Sequence, residues 1–153
     1  LRTAHEVASV RIWKVYRRVL RTGQAITPAS SPSRLHDLRK EAKKLRYLIE
    51  FFSRLFPPKL ITRVTRELKR LQNNLGDFND FEIQHGTIRG VADELMIQRS
   101  CKSSTILAMG ALMDHLASGQ NQARRKFGRC FERFASTGNQ SLFRRLFKEG
   151  RQL

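Results

Sequence analysis

Residues 61–78, ITRVTRELKRLQNNLGDF, hold the most regular pattern in the chain. Their apolar members follow one another in alternating steps of three and four residues: Ile61, Val64, Leu68, Leu71, Leu75 and Phe78. On a helix of about 3.6 residues per turn, this spacing gathers them into one stripe. Such a heptad-like seam is typical of a helix that packs at a shallow angle, so the stretch predicts a helical bundle.

The same periodicity continues before this stretch. It predicts a first helix over residues 4–22, ended by Gly23, and a second helix with Ser33 as its N-cap. The second helix continues to Phe56 and ends there, because the prolines that follow cannot extend it. Pro58 is well placed to open the next helix.

The periodicity also continues after the stretch. A fourth helix over residues 106–134 repeats the seam, and a short amphipathic helix over residues 142–148 follows Gly138. Because no segment alternates at period two, the predicted fold class is all-α. We expect residues 1–153 to form a single domain, an antiparallel helical bundle of about four long helices plus a short C-terminal helix.

Two glycines within the helical patterns call for a structural reason. Gly76 lies inside the most regular pattern, where glycine costs about 1 kcal/mol relative to alanine. We expect a neighbouring helix to approach closely at this position. Gly119 lies beside Gln120 on the seam of the fourth helix, where we expect a bend or a buried polar contact.

The composition points to a polyanionic partner. Among 153 residues, 30 Lys+Arg stand against 13 Asp+Glu, which gives a formal net charge of +17. A surplus of this size destabilises the compact state by self-repulsion, so a polyanion is the natural partner. The 40% hydrophobic content allows a real core and argues against a disordered basic tail.

Other classes of protein find little support. The apolar runs are too short for a transmembrane helix, and Cys101 and Cys130 lie far apart, as expected in the reducing cytoplasm. The histidines show no metal-ligand spacing, and the sequence contains no P-loop, nucleophile elbow or catalytic triad. We therefore expect no metal, no cofactor and no enzymatic activity.

Residues 36–47, HDLRKEAKKLRY, carry the most distinctive charge pattern. At about 100° per residue, one helix face collects the cations and ring side chains of this stretch: His36, Arg39, Lys40, Lys43, Arg46 and Tyr47. Leucine side chains fall on the opposite face, which can pack into a core. A row of cations spaced by one helical turn suits a linear polyanion better than a single small substrate.

Basic stripes recur on the other predicted helices. The first helix adds Arg18 and Arg21, and the third adds a stripe behind its seam: Arg63, Arg66 and Arg70. The C-terminal part contributes more cations: Arg124, Arg125, Lys126, Arg129, Arg133, Arg144, Arg145 and Lys148. One interpretation is that these stripes are solvated outer faces. The other is that they bind a ligand, since exposed helices normally interleave Glu with Lys and these helices carry few anions.

His36 also has two interpretations. It could be a local hydrogen-bonding residue near a helix start. Alternatively, beside Arg39 and Lys40 at a helix N-terminus, it could donate a hydrogen bond to a phosphate oxygen. A bound anion favours protonated histidine, so in that case binding strengthens as the pH falls.

Two motifs resemble those of the CHAD family, the conserved histidine α-helical domain. The H-x-x-R-x-x-x-K-x-x-R-Y signature of that family is matched by His36, Arg39, Lys43, Arg46 and Tyr47. Glu50 follows where the family often carries an acid. The L-Q-x-x-L-G-x-x-N-D signature is matched by Leu71-Gln72, Leu75-Gly76 and Asn79-Asp80. The resemblance extends over residues 34–80 and more loosely over the flanking helices.

The resemblance implies an all-helical fold of two related bundle halves around a basic groove that binds inorganic polyphosphate without catalysis. It assigns binding to the signature residues, with the Tyr47 hydroxyl as a further contact. Lys40 and the stripes of the first and third helices follow from spacing and not from the family motif. Association with polyphosphate granules is implied by the resemblance alone.

The motif-bearing helix resembles the one in the C-terminal half of the family domain. A complete domain has a related His/Arg helix in its N-terminal half, and this chain shows one such helix. We therefore expect either that an N-terminal half is missing from this sequence or that a second copy, in a homodimer, rebuilds the groove.

Nucleic-acid binding is the alternative function, because it would show the same charge and salt dependence. It would need stacking aromatic side chains among the cations. Trp13 and Tyr16 fall on the apolar side of their helix, which leaves Tyr47 as the main candidate. An enzyme acting on phosphoanhydrides would need an acidic metal-binding cluster, and the sequence does not supply one.

Overall fold

Within residues 2–150, which the computed structural model describes, the chain forms five α-helices and no β-strand. The helices are α1 (Ala4–Gln24), α2 (Pro32–Phe51), α3 (Pro58–Ile97), α4 (Ser103–Phe134) and α5 (Thr137–Arg144). A 3₁₀ turn, Ser53–Leu55, follows α2, and a π-helical turn, Arg145–Glu149, continues α5. The predicted all-α bundle of four long helices and a short C-terminal one is confirmed.

The helices pack in chain order. α1 contacts α2, α2 contacts α3, and α3 contacts α4 along the longest of these interfaces. The π-helical turn returns to α1, and α5 lies against α3 and α4. No helix in the described part of the chain combines the length and the apolar character needed to cross a membrane.

The first helix starts as a capping box but does not end where the sequence predicts. Thr3 Oγ1 accepts a hydrogen bond from the Glu6 N–H at 3.2 Å, and the Glu6 carboxylate accepts one from the Thr3 N–H at 2.9 Å. The prediction that Gly23 ends α1 is wrong, because the helix continues to Gln24. Gly23 is buried where an added Cβ would overlap the Phe131 ring of α4.

The bounds of α2 also differ from the prediction. The N-cap is Ser31 and not Ser33, because Pro32 has the fixed φ that suits the first helical position. α2 ends at Phe51, and the 3₁₀ turn, not α2 itself, carries the chain to Phe56. α3 opens at Pro58, as predicted.

The seam predicted along α3 lies in the core. Val64, Leu68, Leu71, Leu75 and Phe78 are buried, and Ile61 packs against them from a half-buried position. Aromatic rings fill the other side of the core. Tyr16 of α1 stacks on Phe143 of α5 with ring centroids 3.8 Å apart, and Phe134 meets the edges of both rings.

Residues 80–115 form a helical hairpin that we call the arm: the last turns of α3, the connecting loop and the first turns of α4. None of these residues is buried, whereas Asn79 and Leu116 at the base of the arm are. The arm exposes several large apolar side chains: Ile83, Val91, Met96, Ile97, Leu107 and Leu112. The seam of α4 continues into the arm, but its residues there are only half-buried.

The close helix approach expected at Gly76 is found elsewhere. Among the described residues, no atom of another helix lies within 4 Å of the place where a Cβ on Gly76 would be, so that prediction is wrong. At Gly119 the Phe81 ring lies 2.6 Å from the corresponding position, and α4 runs through this glycine without a break. The ring of α3 therefore packs directly on the backbone of α4 at the base of the arm.

Candidate functional site

α2 presents the predicted cations on the side away from the core. It buries one row of apolar residues, which fixes the rotation of the helix: Leu35, Leu38, Ala42, Leu45 and Ile49. We call the outer row the signature face: His36, Arg39, Lys40, Lys43, Arg46 and Tyr47. Lys40, Lys43 and Tyr47 are exposed, and the other members are half-buried. The structure thus places these residues on one side of one helix, as their spacing predicts.

His36 is held by a residue of the second motif. Its Nδ1 lies 3.1 Å from Oδ1 of Asn79 on α3, and the Asn79 side chain is only 7% exposed. An amide oxygen can only accept, so Nδ1 carries the proton and Nε2 is left for another partner. His36 is thus a hydrogen-bonding residue, as one interpretation expects, but its partner is not local, because Asn79 lies 43 residues away. Sequence reasoning missed Asn79 as a partner, although the second motif contains it.

The cations of the signature face differ in how far they are already neutralised. Arg46 Nε lies 2.6 Å from Oε1 of Glu50, and this hydrogen bond raises the pKa of Arg46. Arg39, Lys40 and Lys43 form no ion pair with any described residue. These three side chains therefore present uncompensated charge along about one turn of helix.

The C-terminal end of the signature face adjoins an aromatic surface. Lys43 Nζ lies 5.7 Å from the centroid of the Tyr47 ring, and Tyr47 is 54% exposed. One turn further along α2, Phe51 is 81% exposed. Lys40 and Lys44 border the same shallow surface. Sequence reasoning missed Phe51, although its four-residue step from Tyr47 places both rings on one side of the helix.

The predicted cations of α1 lie at a different place. Arg18 Nη1 pairs with Oε1 of Glu41 at 3.3 Å across the α1–α2 junction, and Arg21 is exposed one turn further on. Positions 41 and 43 point about 160° apart around a helix. Arg18 therefore lies on the other side of α2 from Lys43.

The predicted cations of α3 face α4 and α5, not α2. Arg63, Arg66 and Arg70 line two adjoining cavities of about 390 and 270 Å³, and no α2 residue lines either of them. The opposite wall carries cations of α4: Lys126, Arg129 and Arg133. We call this groove the α3–α4 cleft. The predicted binding residues are thus distributed over separate surfaces.

Arg124 has a structural partner. Its Nη2 donates to the carbonyl oxygens of Thr27 at 2.6 Å and Ser30 at 3.0 Å. These two carbonyls belong to the loop between α1 and α2. Arg124 therefore ties this loop to α4 and differs in role from the other cations of the C-terminal part.

No group of three or more His, Cys, Asp or Glu side chains in the described residues is arranged to hold a metal ion. Asp77 and Asp80, one helical turn apart, are both exposed. The described surfaces carry guanidinium, ammonium and imidazole groups, which can bind anions.

A family model described as CHAD domain matches residues 1–89, which include α1, α2, most of α3 and both sequence motifs. No curated protein matches the chain. CHAD domains are associated in general with polyphosphate binding and are binding domains, not catalytic ones.

Proposed function

Since the chain belongs to the CHAD domain family, we propose that it binds inorganic polyphosphate through the signature face and catalyses no reaction on it. The observation that carries the proposal is the row of Arg39, Lys40 and Lys43, which are uncompensated and lie side by side on α2. Successive phosphates of a linear chain can meet successive cations of such a row. Location in the cytoplasm, at polyphosphate granules, belongs to the same proposal.

The side chains of the signature face have distinct roles in this proposal. Arg39 and Arg46 can each grip phosphate oxygens with two N–H groups, whereas Lys43 acts as a point charge. His36, with Nδ1 held by Asn79, can donate from Nε2 to a phosphate oxygen when it is protonated. Release of counterions from the polyanion supplies much of the affinity and makes binding weaker as salt rises.

A homodimer that rebuilds a two-sided groove is part of the proposal. Its support is the resemblance to one half of a two-bundle domain, together with the single motif-bearing helix in this chain. Light scattering gives the mass in solution with and without polyphosphate. A monomer that binds polyphosphate with full affinity would exclude the dimer and leave the assignment of the signature face intact.

The test of the signature face compares two triple variants that lose the same charge. Arg39→Ala, Lys43→Ala and Arg46→Ala together remove three charge-assisted contacts, and we expect at least about tenfold weaker binding of labelled long-chain polyphosphate. The control removes three cations of the arm: Arg89→Ala, Arg99→Ala and Lys102→Ala. Equal affinities of the two variants would show that net charge alone governs binding and that the signature face is not the site.

Single-stranded nucleic acid is a second candidate ligand, because the structure adds Phe51 to Tyr47 as an exposed ring beside lysines. Stacking of a base on an aromatic side chain contributes about 1–3 kcal/mol. Phe51→Ala, which removes the exposed ring outside the signature face, should therefore weaken binding of single-stranded DNA by about tenfold and leave polyphosphate affinity within about twofold. An unchanged DNA affinity in a filter-binding titration would remove this candidate.

A further inference from the structure

We propose that the α3–α4 cleft is a second binding site for a linear phosphate polyanion, occupied independently of the signature face. The ligand class rests on the proposed function, whereas the residues are different ones. Three cations on each helix form the site: Arg63, Arg66 and Arg70 on α3, with Lys126, Arg129 and Arg133 on α4.

The two rows of cations have the same internal spacing. On each helix the second cation follows the first by three residues and the third follows by four more. This spacing keeps each row on one side of its helix over about 10 Å. Each row therefore forms one continuous wall of the cleft.

A buried hydrogen bond sets the register between the two walls. Asn74 Nδ2 donates to the carbonyl oxygen of Ala123 at 2.9 Å. Because the helices run in opposite directions, this pairing brings Arg70 level with Lys126 and Arg63 level with Arg133. Arg70 and Arg133 line both cavities, so the two cavities form one groove.

The charge of the cleft is far from balanced. Glu67 and Asp77 are the acids that line it, against six cations. Glu67 is 15% exposed and lies 3.4 Å from Arg66 Nε and 2.8 Å from Arg70 Nη1, so it positions these two guanidinium groups. Arg63, Lys126 and Arg129 form no ion pair with a described residue. Like charges gathered in a groove destabilise the free protein, and a bound anion relieves that repulsion.

The lining favours phosphate chains over nucleic acid. Among the residues that the structure describes, no aromatic side chain lines either cavity, so these walls offer no stacking surface for bases. Ser136 and Gly138, at the start of α5, also line the cleft, and the helix dipole there favours an anion. The groove thus suits the unbranched backbone of an inorganic phosphate chain.

The cleft and the signature face lie on different flanks of α3. His36 of α2 contacts Asn79, and Ala123 of α4 contacts Asn74. Two positions five residues apart point about 140° apart around a helix. A single straight segment of a phosphate chain cannot contact both surfaces at once. Each protomer should therefore bind two chain segments and link separate chains.

The test is the stoichiometry of short-chain inorganic polyphosphate in calorimetric titrations of the full chain. The cleft variant is Arg63→Ala, Lys126→Ala and Arg129→Ala, which leaves the partners of Glu67 in place. We expect the unsubstituted protein and the arm triple variant to bind in two steps: one chain per protomer at the cleft, and at the signature face one chain per protomer or, in the homodimer, one per two protomers. The cleft variant and the signature triple variant should each keep one of these steps, with the other weakened by at least about tenfold.

The outcomes separate this site from the proposed one. A single binding step that the signature variant abolishes and the cleft variant leaves unchanged would overturn the cleft site and keep the signature face. Loss of binding in the cleft variant alone would keep the cleft and overturn the signature face. Displacement of the cleft-bound chain by duplex DNA of equal charge would overturn the ligand class. Equal melting temperatures of the variants confirm that all of them are folded.

Discussion

The packed part of the bundle and the arm share a helix but differ in burial and in charge. In the bundle, the seam of α3 lies between neighbouring helices, and Leu68 is fully buried. In the arm, the same helix continues to Ile97 with no buried residue. The arm also carries more acids than cations: Asp80, Glu82, Asp93, Glu94 and Asp114 against Arg89, Arg99 and Lys102. Helical periodicity thus predicts a helix in both regions, but the cationic surplus belongs to the bundle alone.

The largest expected difference between the two regions concerns apolar truncation. Leu68→Ala removes a fully buried side chain and should lower the free energy of unfolding by about 3 kcal/mol. Ile88→Ala, at a half-buried position of the arm, should lower it by about 1 kcal/mol or less, because its contacts come from fewer neighbours. Urea denaturation measures both, and equal losses would show that the arm is packed as tightly as the bundle.

Replacing glycine by alanine should change the stability of the fold in opposite directions in the two regions. Gly23→Ala forces a Cβ against the Phe131 ring in the bundle and should destabilise the fold by about 1–3 kcal/mol. Gly90→Ala in the arm meets open space and should stabilise the fold by about 0.5–1 kcal/mol, because alanine is the better helix former. Thermal melting of the two variants gives both signs, and a stabilising Gly23→Ala would contradict the close contact with α4.

The smallest expected effect concerns Tyr16, whose buried hydroxyl has no hydrogen-bond partner among the described residues. Burial raises the pKa of Tyr16, and the nearby Arg144 opposes this only in part. Above pH of about 10 the unfolded chain loses this proton while the folded chain keeps it, so stability falls as the pH rises. Tyr16→Phe keeps the stacking on Phe143 and should be neutral or up to about 1 kcal/mol more stable near pH 8.

The pH profile provides the check on Tyr16. Titration of the lysines is common to both proteins, so the difference between their urea midpoints isolates the tyrosine. The advantage of Tyr16→Phe should grow as the pH rises from 9 to 11. A variant that is clearly less stable than the unsubstituted protein at pH 8 would show that the hydroxyl makes a favourable contact.

The sequence predicts the presence of the helices better than the residues at which they end and the helices on which they pack. The seam from Val64 to Phe78 identifies the buried side of α3, because burial and periodicity coincide in the bundle. The same periodicity does not reveal that the residues beyond Asn79 are no longer packed against the rest of the bundle. The two helices of an exposed hairpin still pack on each other through an apolar seam, so the pattern continues. The glycines show the same limit: which helix approaches Gly23 or Gly119 depends on tertiary packing.

The candidate site shows the same difference: features within one helix can be predicted from the sequence, and contacts between helices cannot. Spacing along α2 predicts the signature face, and the four-residue step from Arg46 to Glu50 makes their pairing predictable as well. Contacts between helices are not readable in this way. The bond between His36 and Asn79 and the grouping of the α3 cations with those of α4 both depend on the register between helices.

A competition titration tests the central claim most directly. Labelled long-chain polyphosphate is bound to the full chain at physiological salt, and duplex DNA of equal total charge is added as competitor. If the signature face binds polyphosphate selectively, polyphosphate stays bound when the DNA and the polyphosphate carry equal concentrations of negative charge. Displacement of polyphosphate by DNA in proportion to charge would contradict it and show a general polyanion binder.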